Sequence, residues 1–126
     1  KLKQGNIISL IHPLASVSSY SEIQEGTVVM ANAVINPFVK IGVSCIVNTN
    51  STIEHDCIIK DGVHISPNVA VAGGVSIGNK TWIGIGSSIK QNIHIGANVI
   101  IGLGSVVLKD IPDNVNAFGI PAKIKT

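Results

Sequence analysis

The stretch IEHDCIIKDGVHIS, residues 53–66, sets Glu54, His55 and Asp56 side by side in a chain in which only 13% of residues are charged, and His64 follows. An unperturbed histidine titrates at about 6.5, so its neutral form can act as a base at cellular pH. A carboxylate on the far ring nitrogen fixes the tautomer and steadies the imidazolium that forms when the ring takes a proton. His55 and Asp56 therefore have the make-up of a general base and its support, and are the expected catalytic pair. Charge that develops on an oxygen needs a hydrogen-bond donor, a role open to His64 or to a backbone N–H. The competing reading is an ordinary exposed ion pair on a surface turn. Glu54 reads as solvated or structural, His12 before Pro13 as structural, and His94 as a surface residue.

The rest of the composition narrows what such a base can serve. The 126 residues make one domain. Ile, Val and Gly are abundant and charge is low, which excludes a disordered chain. No run of about 18 apolar residues is present, so no membrane-spanning helix is expected. The start, KLKQGNIISL, has neither the apolar stretch nor the cleavage site of a signal peptide. It also lacks an initial Met, and the chain reads as a piece of a longer protein or a processed one. The net charge of +2 comes from nine lysines and no arginine. Lys1 and Lys3 sit at one end, Lys123 and Lys125 at the other, and the rest are scattered, so these are solvated lysines rather than a nucleic-acid surface. Cys45 and Cys57 have no CxxC spacing and read as reduced thiols of a cytoplasmic protein.

What positions the His–Asp pair is a repeat of six. From Ile11 to Val107 every sixth residue is Ile or Val, 17 positions without a slip, whereas elsewhere only 20 of 109 residues are. Four residues after each comes a second column of mostly small or β-branched residues, such as Ala15, Ser21, Thr27, Cys57 and Ser105. Glycine often follows the Ile, as in IGVS, IGNK and IGLG. An α-helix needs a spacing near 3.6 and a half-buried hairpin strand needs alternation. A period of six fits short strands joined by tight turns, with one bulky β-branched residue pointing inward per strand and glycine near the corners. Three strands close a triangular coil of 18 residues, giving somewhat more than five coils. The tail LKDIPDNVNAFGIPAKIKT leaves this frame, with Pro112 and Pro121 breaking the register, and is expected to cap the open end. The expected organisation is a lead-in over 1–10, the coil over 11–107 and a cap over 108–126.

The pattern [Ile/Val]-Gly-x-x-[small]-x resembles the hexapeptide-repeat acyltransferases, over nearly the whole chain. The resemblance implies an all-β, left-handed parallel β-helix, a hand opposite to ordinary parallel crossovers. Stacking by 18 places Gly73 one coil beyond His55 and Gly74 one coil beyond Asp56, so the AGG at 72–74 leaves room beside the pair. Pro67, Ile85 and Leu103 form an outward apolar column. A polar spot with space beside it and an apolar groove suits a long thin ligand with a reactive tip, the shape of acyl-CoA.

The segment NTNSTIEHDCIIKDGVHISPNVAVAGGVSIG, with the ending GIPAKIK, resembles one branch: sialic acid O-acetyltransferases and bacillosamine-type aminosugar N-acetyltransferases. The resemblance implies His55 as general base, Asp56 as the residue that raises its basicity, and His64 as an acetyl-CoA contact. It implies that Ile85 and Leu103 line the pantetheine arm; that Gly73 makes room for the thioester is an expectation from the stacking alone. It also implies homotrimers with each site between two β-helices, and a sugar acceptor. Such proteins usually carry an N-terminal nucleotide-binding α/β domain, and no GxGxxG turn or βαβ pattern precedes Ile11. The expected activity is acetyl-CoA-dependent transfer to a sugar amine, with a nucleotide-linked aminosugar as acceptor. Transfer to a sialic acid or other sugar hydroxyl is the alternative. A zinc enzyme on the same helix would need paired histidines five residues apart, which this chain lacks, and no metal is expected. A non-catalytic scaffold is the remaining reading; the repeated Thr-x-Thr face of an ice-binding helix is not present.

Overall fold

The computed structural model describes residues 8–125. The first seven residues of the expected lead-in, with Lys1 and Lys3, and the last residue of the expected cap lie outside them. Each repeat forms a two-residue strand, an outward residue followed by the inward Ile or Val, as in His64–Ile65 and Trp82–Ile83. The strands stack in three sheets of eight, six and five, parallel throughout except for the last pair of the eight-stranded sheet. The partners lie one 18-residue coil apart: His64 pairs with Trp82, Ala70 with Ser88, Ser76 with His94. This is the parallel coil that the repeat predicts, and the all-β, left-handed parallel β-helix that the resemblance implies. Its three faces are called here first (from Leu10–Ile11), second (from Ser16–Val17) and third (from Glu22–Ile23).

The Ile/Val column from Val29 to Val107 is buried throughout, whereas Ile11 remains 46% exposed and Val17 and Ile23 half-buried at the opening end. The sequence reading assigns one inward residue to each strand; the structure buries two. Cys57, for example, precedes Ile59 by two residues, and an extended chain turns alternate side chains to one side. The corner interior is narrow, so this second column is small or β-branched, and its polar members find partners in nearby carbonyls. Thr27 Oγ1 donates to Gly42 O at 2.8 Å and Thr81 Oγ1 to Gly96 O at 2.7 Å. The thiols of Cys45 and Cys57 point at Lys60 O and Ala72 O, 2.9 and 3.1 Å away. Burial raises the pKa of both, which keeps them neutral.

The glycines divide into two kinds. At the corners the left-handed conformation falls on glycines such as Gly74 and equally on Asn32, Asn50, Asn68 and Asn92, because Asn tolerates that region. The glycines that follow Ile serve close approach instead: a Cβ on Gly84 would lie 2.6 Å from Ile101 O in the next coil.

The tail first extends the coil and then closes it. Ile111 bridges to Ile95, and the strand Asn116–Phe118 pairs in parallel with Ile100–Ile101, burying Ile111 and Ala117. These partners are 16 residues apart rather than 18, so this last turn is two residues short. The strand Lys123–Lys125 then pairs antiparallel with Asn116–Phe118.

Candidate active site

His55 and Asp56 occupy the corner between the second and third faces, between the strands Thr52–Ile53 and Ile58–Ile59. Asp56 takes the left-handed position of this corner, with φ of 61°. Its Oδ2 lies 2.9 Å from His55 Nδ1, and both side chains are more than half exposed. In the neutral ring Nδ1–H donates to the carboxylate, which leaves the Nε2 lone pair free. Nε2 faces Gly73, as the 18-residue stacking predicts: a Cβ built there would lie 2.7 Å from Nε2 and 2.8 Å from Cε1. The space over Gly73 therefore holds the imidazole itself. Gly73 lies outside the left-handed region; its neighbour Gly74, with φ of 70°, is the corner residue, and its N–H donates to His55 O at 2.9 Å.

His64 sits elsewhere, on the outward side of the first face. Its ring stacks on Trp82, with centroids 5.2 Å apart and planes inclined by 18°. Asn48 Oδ1 accepts from the Thr49 N–H at 2.8 Å, so the Asn48 amide nitrogen faces His64 Nε2, 3.3 Å away. Nε2 is then the acceptor and Nδ1 carries the proton. Burial lowers the His64 pKa, which favours this neutral form. Trp82 Nε1–H in turn donates to Ser66 Oγ at 2.9 Å. Below the pair runs a groove of about 390 Å³, lined by His64, Trp82, Ile85, Ile100, Leu103 and Phe118.

The predicted residues thus fall into two groups. His55, Asp56 and Gly73 meet at the corner between the second and third faces. His64, Ile85 and Leu103 meet in the groove, along the first face and the corner that follows it. A single chain holds the second face between the groups and does not join them. The sequence reading missed Trp82 and Phe118. Trp82 had a signal, as the only Trp of the chain, one coil beyond His64. Phe118 had none, because it belongs to the shortened last turn. The remaining candidates have local partners. Glu54 accepts from Asn36 Nδ2 at 2.8 Å, His12 Nδ1 accepts from the Leu14 N–H at 3.0 Å, and His94 Nδ1 lies 2.6 Å from Ser76 Oγ. Among the described residues no three His, Cys, Asp or Glu side chains group as metal ligands.

Residues 74–109 match the family model described as bacterial transferase hexapeptide (six repeats). Over these residues the chain carries the hexapeptide repeat of bacterial transferases. Among solved structures this hexapeptide-repeat chain is similar to a histidine-to-asparagine variant of perosamine N-acetyltransferase from Caulobacter crescentus, in complex with CoA and GDP-perosamine. The TM-score is 0.94 at 42% identity, over 95% of this chain and 57% of that one. It is equally similar to the acetyltransferase domain of PglB from Neisseria gonorrhoeae FA1090 in complex with acetyl coenzyme A, with a TM-score of 0.94 at 40% identity, over 94% of this chain and 58% of that one. Among curated proteins, a galactoside O-acetyltransferase of Lactococcus lactis is 45% identical over 49 residues, 39% of this chain and 24% of the relative. A serine acetyltransferase of Synechococcus elongatus is 32% identical over 89 residues, 69% of this chain and 36% of the relative. The hexapeptide-repeat chain thus spans about a quarter to a third of these curated relatives.

Proposed function

We propose that this chain is the acetyl-CoA-binding and catalytic part of an acetyltransferase that acts on the amine of a nucleotide-linked aminosugar. The observation that carries the reading is the His55–Asp56 hydrogen bond, which leaves Nε2 as a free base at an exposed corner. As the acceptor nitrogen attacks the acetyl carbonyl, the N–C bond forms and the C–S bond breaks. Nε2 takes the proton from nitrogen, and the thiolate of CoA leaves. Asp56 stabilises the imidazolium through Nδ1–H. The apolar groove fits the pantetheine arm, with Ile85 and Leu103 as its walls and the Nδ1–H of His64 as a donor. The likeness to structures that hold CoA and GDP-perosamine, or acetyl coenzyme A, supports both the donor and the acceptor class.

The two groups come together when a second copy supplies the groove. The second face lies between them, and its outward column, Ser16, Val34, Thr52, Ala70, Ser88 and Val106, carries no charge. Copies packed along this face bring the His55 corner of one against the groove of the next. Closed symmetry with three such contacts gives a homotrimer with inter-subunit sites. A cytoplasmic location accords with the two buried, neutral thiols. No helix among the described residues is long and apolar enough to cross a membrane.

A hydroxyl acceptor is the second reading, favoured by the likeness to galactoside O- and serine acetyltransferases. The test is release of the CoA thiol from acetyl-CoA with GDP-perosamine, a galactoside, free sialic acid or serine as acceptor. Turnover confined to the aminosugar supports the first reading. Turnover confined to a hydroxyl acceptor replaces it with the second, and none with any acceptor sinks both.

A further inference from the structure

Four aromatic side chains are present in the whole chain: one Trp, one Tyr and two Phe. Two of them, Trp82 and Phe118, line the groove. The other two, Tyr20 and Phe38, stand on the corner that carries His55 and Asp56. Their rings pack together with centroids 5.7 Å apart, inclined by 36°. They are nonetheless 69% and 59% exposed. The backbone ladder fixes their place. The Phe38 N–H donates to Tyr20 O at 3.3 Å, and the Asp56 N–H to Pro37 O at 3.2 Å. Along this corner the order is therefore Tyr20, Phe38, Asp56, Gly74.

Phe38 also holds a backbone conformation that a bulky side chain resists, with φ of 66°. At the other corners the left-handed residue is Gly, Asn, Asp, Ser or Lys. A strained, exposed aromatic is poorly explained by packing, and such strain concentrates where a ligand is held.

The groove extends from His64 toward Phe118, in the coils that follow His55. The acyl donor thus comes from that side, and the acceptor must approach from the other, over the coils of Phe38 and Tyr20. Phe38 lies one coil below Asp56, whereas Nε2 leans over Gly73 one coil above it, so the base and Phe38 are roughly 10 Å apart along the axis, on the order of a hydrogen bond plus the length of a six-membered sugar ring. An amine at His55 Nε2 would have its own ring directed along the corner toward Phe38. A nucleobase, two phosphates further on, would lie well beyond it. The face of an aromatic ring is negative and attracts the positive C–H edges of a pyranose.

We propose that Tyr20 and Phe38 form the platform on which the apolar face of the acceptor's sugar ring stacks. The proposal rests on the aminosugar acetyltransferase reading above. The test is Phe38→Asn in the full chain, because Asn already occupies this corner position at residues 32, 50 and 92. With GDP-perosamine as the probe, kcat/KM for the acceptor falls about tenfold, in line with the loss of one stacking contact. The KM for acetyl-CoA and the mass by light scattering stay at their values in the unaltered protein, and Phe38→Tyr retains the acceptor kinetics. An unchanged acceptor kcat/KM in Phe38→Asn overturns the platform and leaves the parent reading intact. A fall in mass shows that the aromatics cover a second copy of the chain, which also overturns it. If the unaltered chain does not acetylate GDP-perosamine, the parent reading fails and this one with it.

Discussion

At the scale of single residues, the corner works because each member holds the next. Asp56 tolerates the left-handed position, so its carboxylate turns back onto His55 Nδ1, and Nε2 is left over Gly73. His55→Ala removes only an exposed ring. It is expected to fold and to bind acetyl-CoA while losing about 10²–10⁴ in kcat, the usual worth of a general base. Asp56→Asn keeps a residue suited to that backbone and loses less. Near-normal turnover in His55→Ala would remove the base from the mechanism. Gly73 separates space from strain. The spacing alone suggests that alanine would be far milder than leucine there. The structure revises this, because a Cβ by itself meets the imidazole at 2.7 Å and the backbone is unstrained. Gly73→Ala should therefore displace His55 and lose on the order of 10² in kcat, as misplacement of a reacting group does, with the melting temperature unchanged. Gly73→Ala at full activity would show that the ring does not work from this position.

At the scale of the strand and corner, the period of six made the coil legible. It fixed the 18-residue register, so Gly73 could be set beside His55 from the sequence. It did not make the relation between corners equally plain. Pro67 follows His55 by twelve residues, two of the three sides of a coil, so the apolar column could not share the His55 corner in one chain. The last turn was illegible for another reason. Beyond Val107 the Ile/Val column ends, and the pairing of Ile111 with Ile95 skips two residues that no periodicity announces. The second inward column shows what holds a corner together. Thr81 Oγ1 donates to Gly96 O and accepts from the Val99 N–H at 3.1 Å, both buried. Thr81→Val keeps the shape but strands these groups, at a cost of about 1–3 kcal/mol. Denaturant unfolding should show this as a lower midpoint at constant slope. A midpoint equal to that of the unaltered protein would mean that the corner carbonyl finds another donor.

At the scale of the whole molecule, the separation of the two groups becomes a statement about assembly. A light-scattering mass near three times 13.1 kDa accords with a closed ring of chains but does not say which groups meet across it. Two inactive variants can. His55→Ala removes the base and leaves the groove. Leu103→Asp places a charge in the groove and leaves the corner; with Leu103 81% exposed, the change should not disturb folding. Each variant alone should be inactive. Coexpressed in equal amounts, they form mixed rings in which some contacts pair an intact corner with an intact groove. Random assembly of such rings gives about a quarter of the activity of the unaltered protein. If the corner and groove of one chain served the same site, no mixture would contain a complete one. Coexpressed variants that stay inactive while forming mixed rings, seen by two distinct affinity tags, would rule out the inter-subunit site.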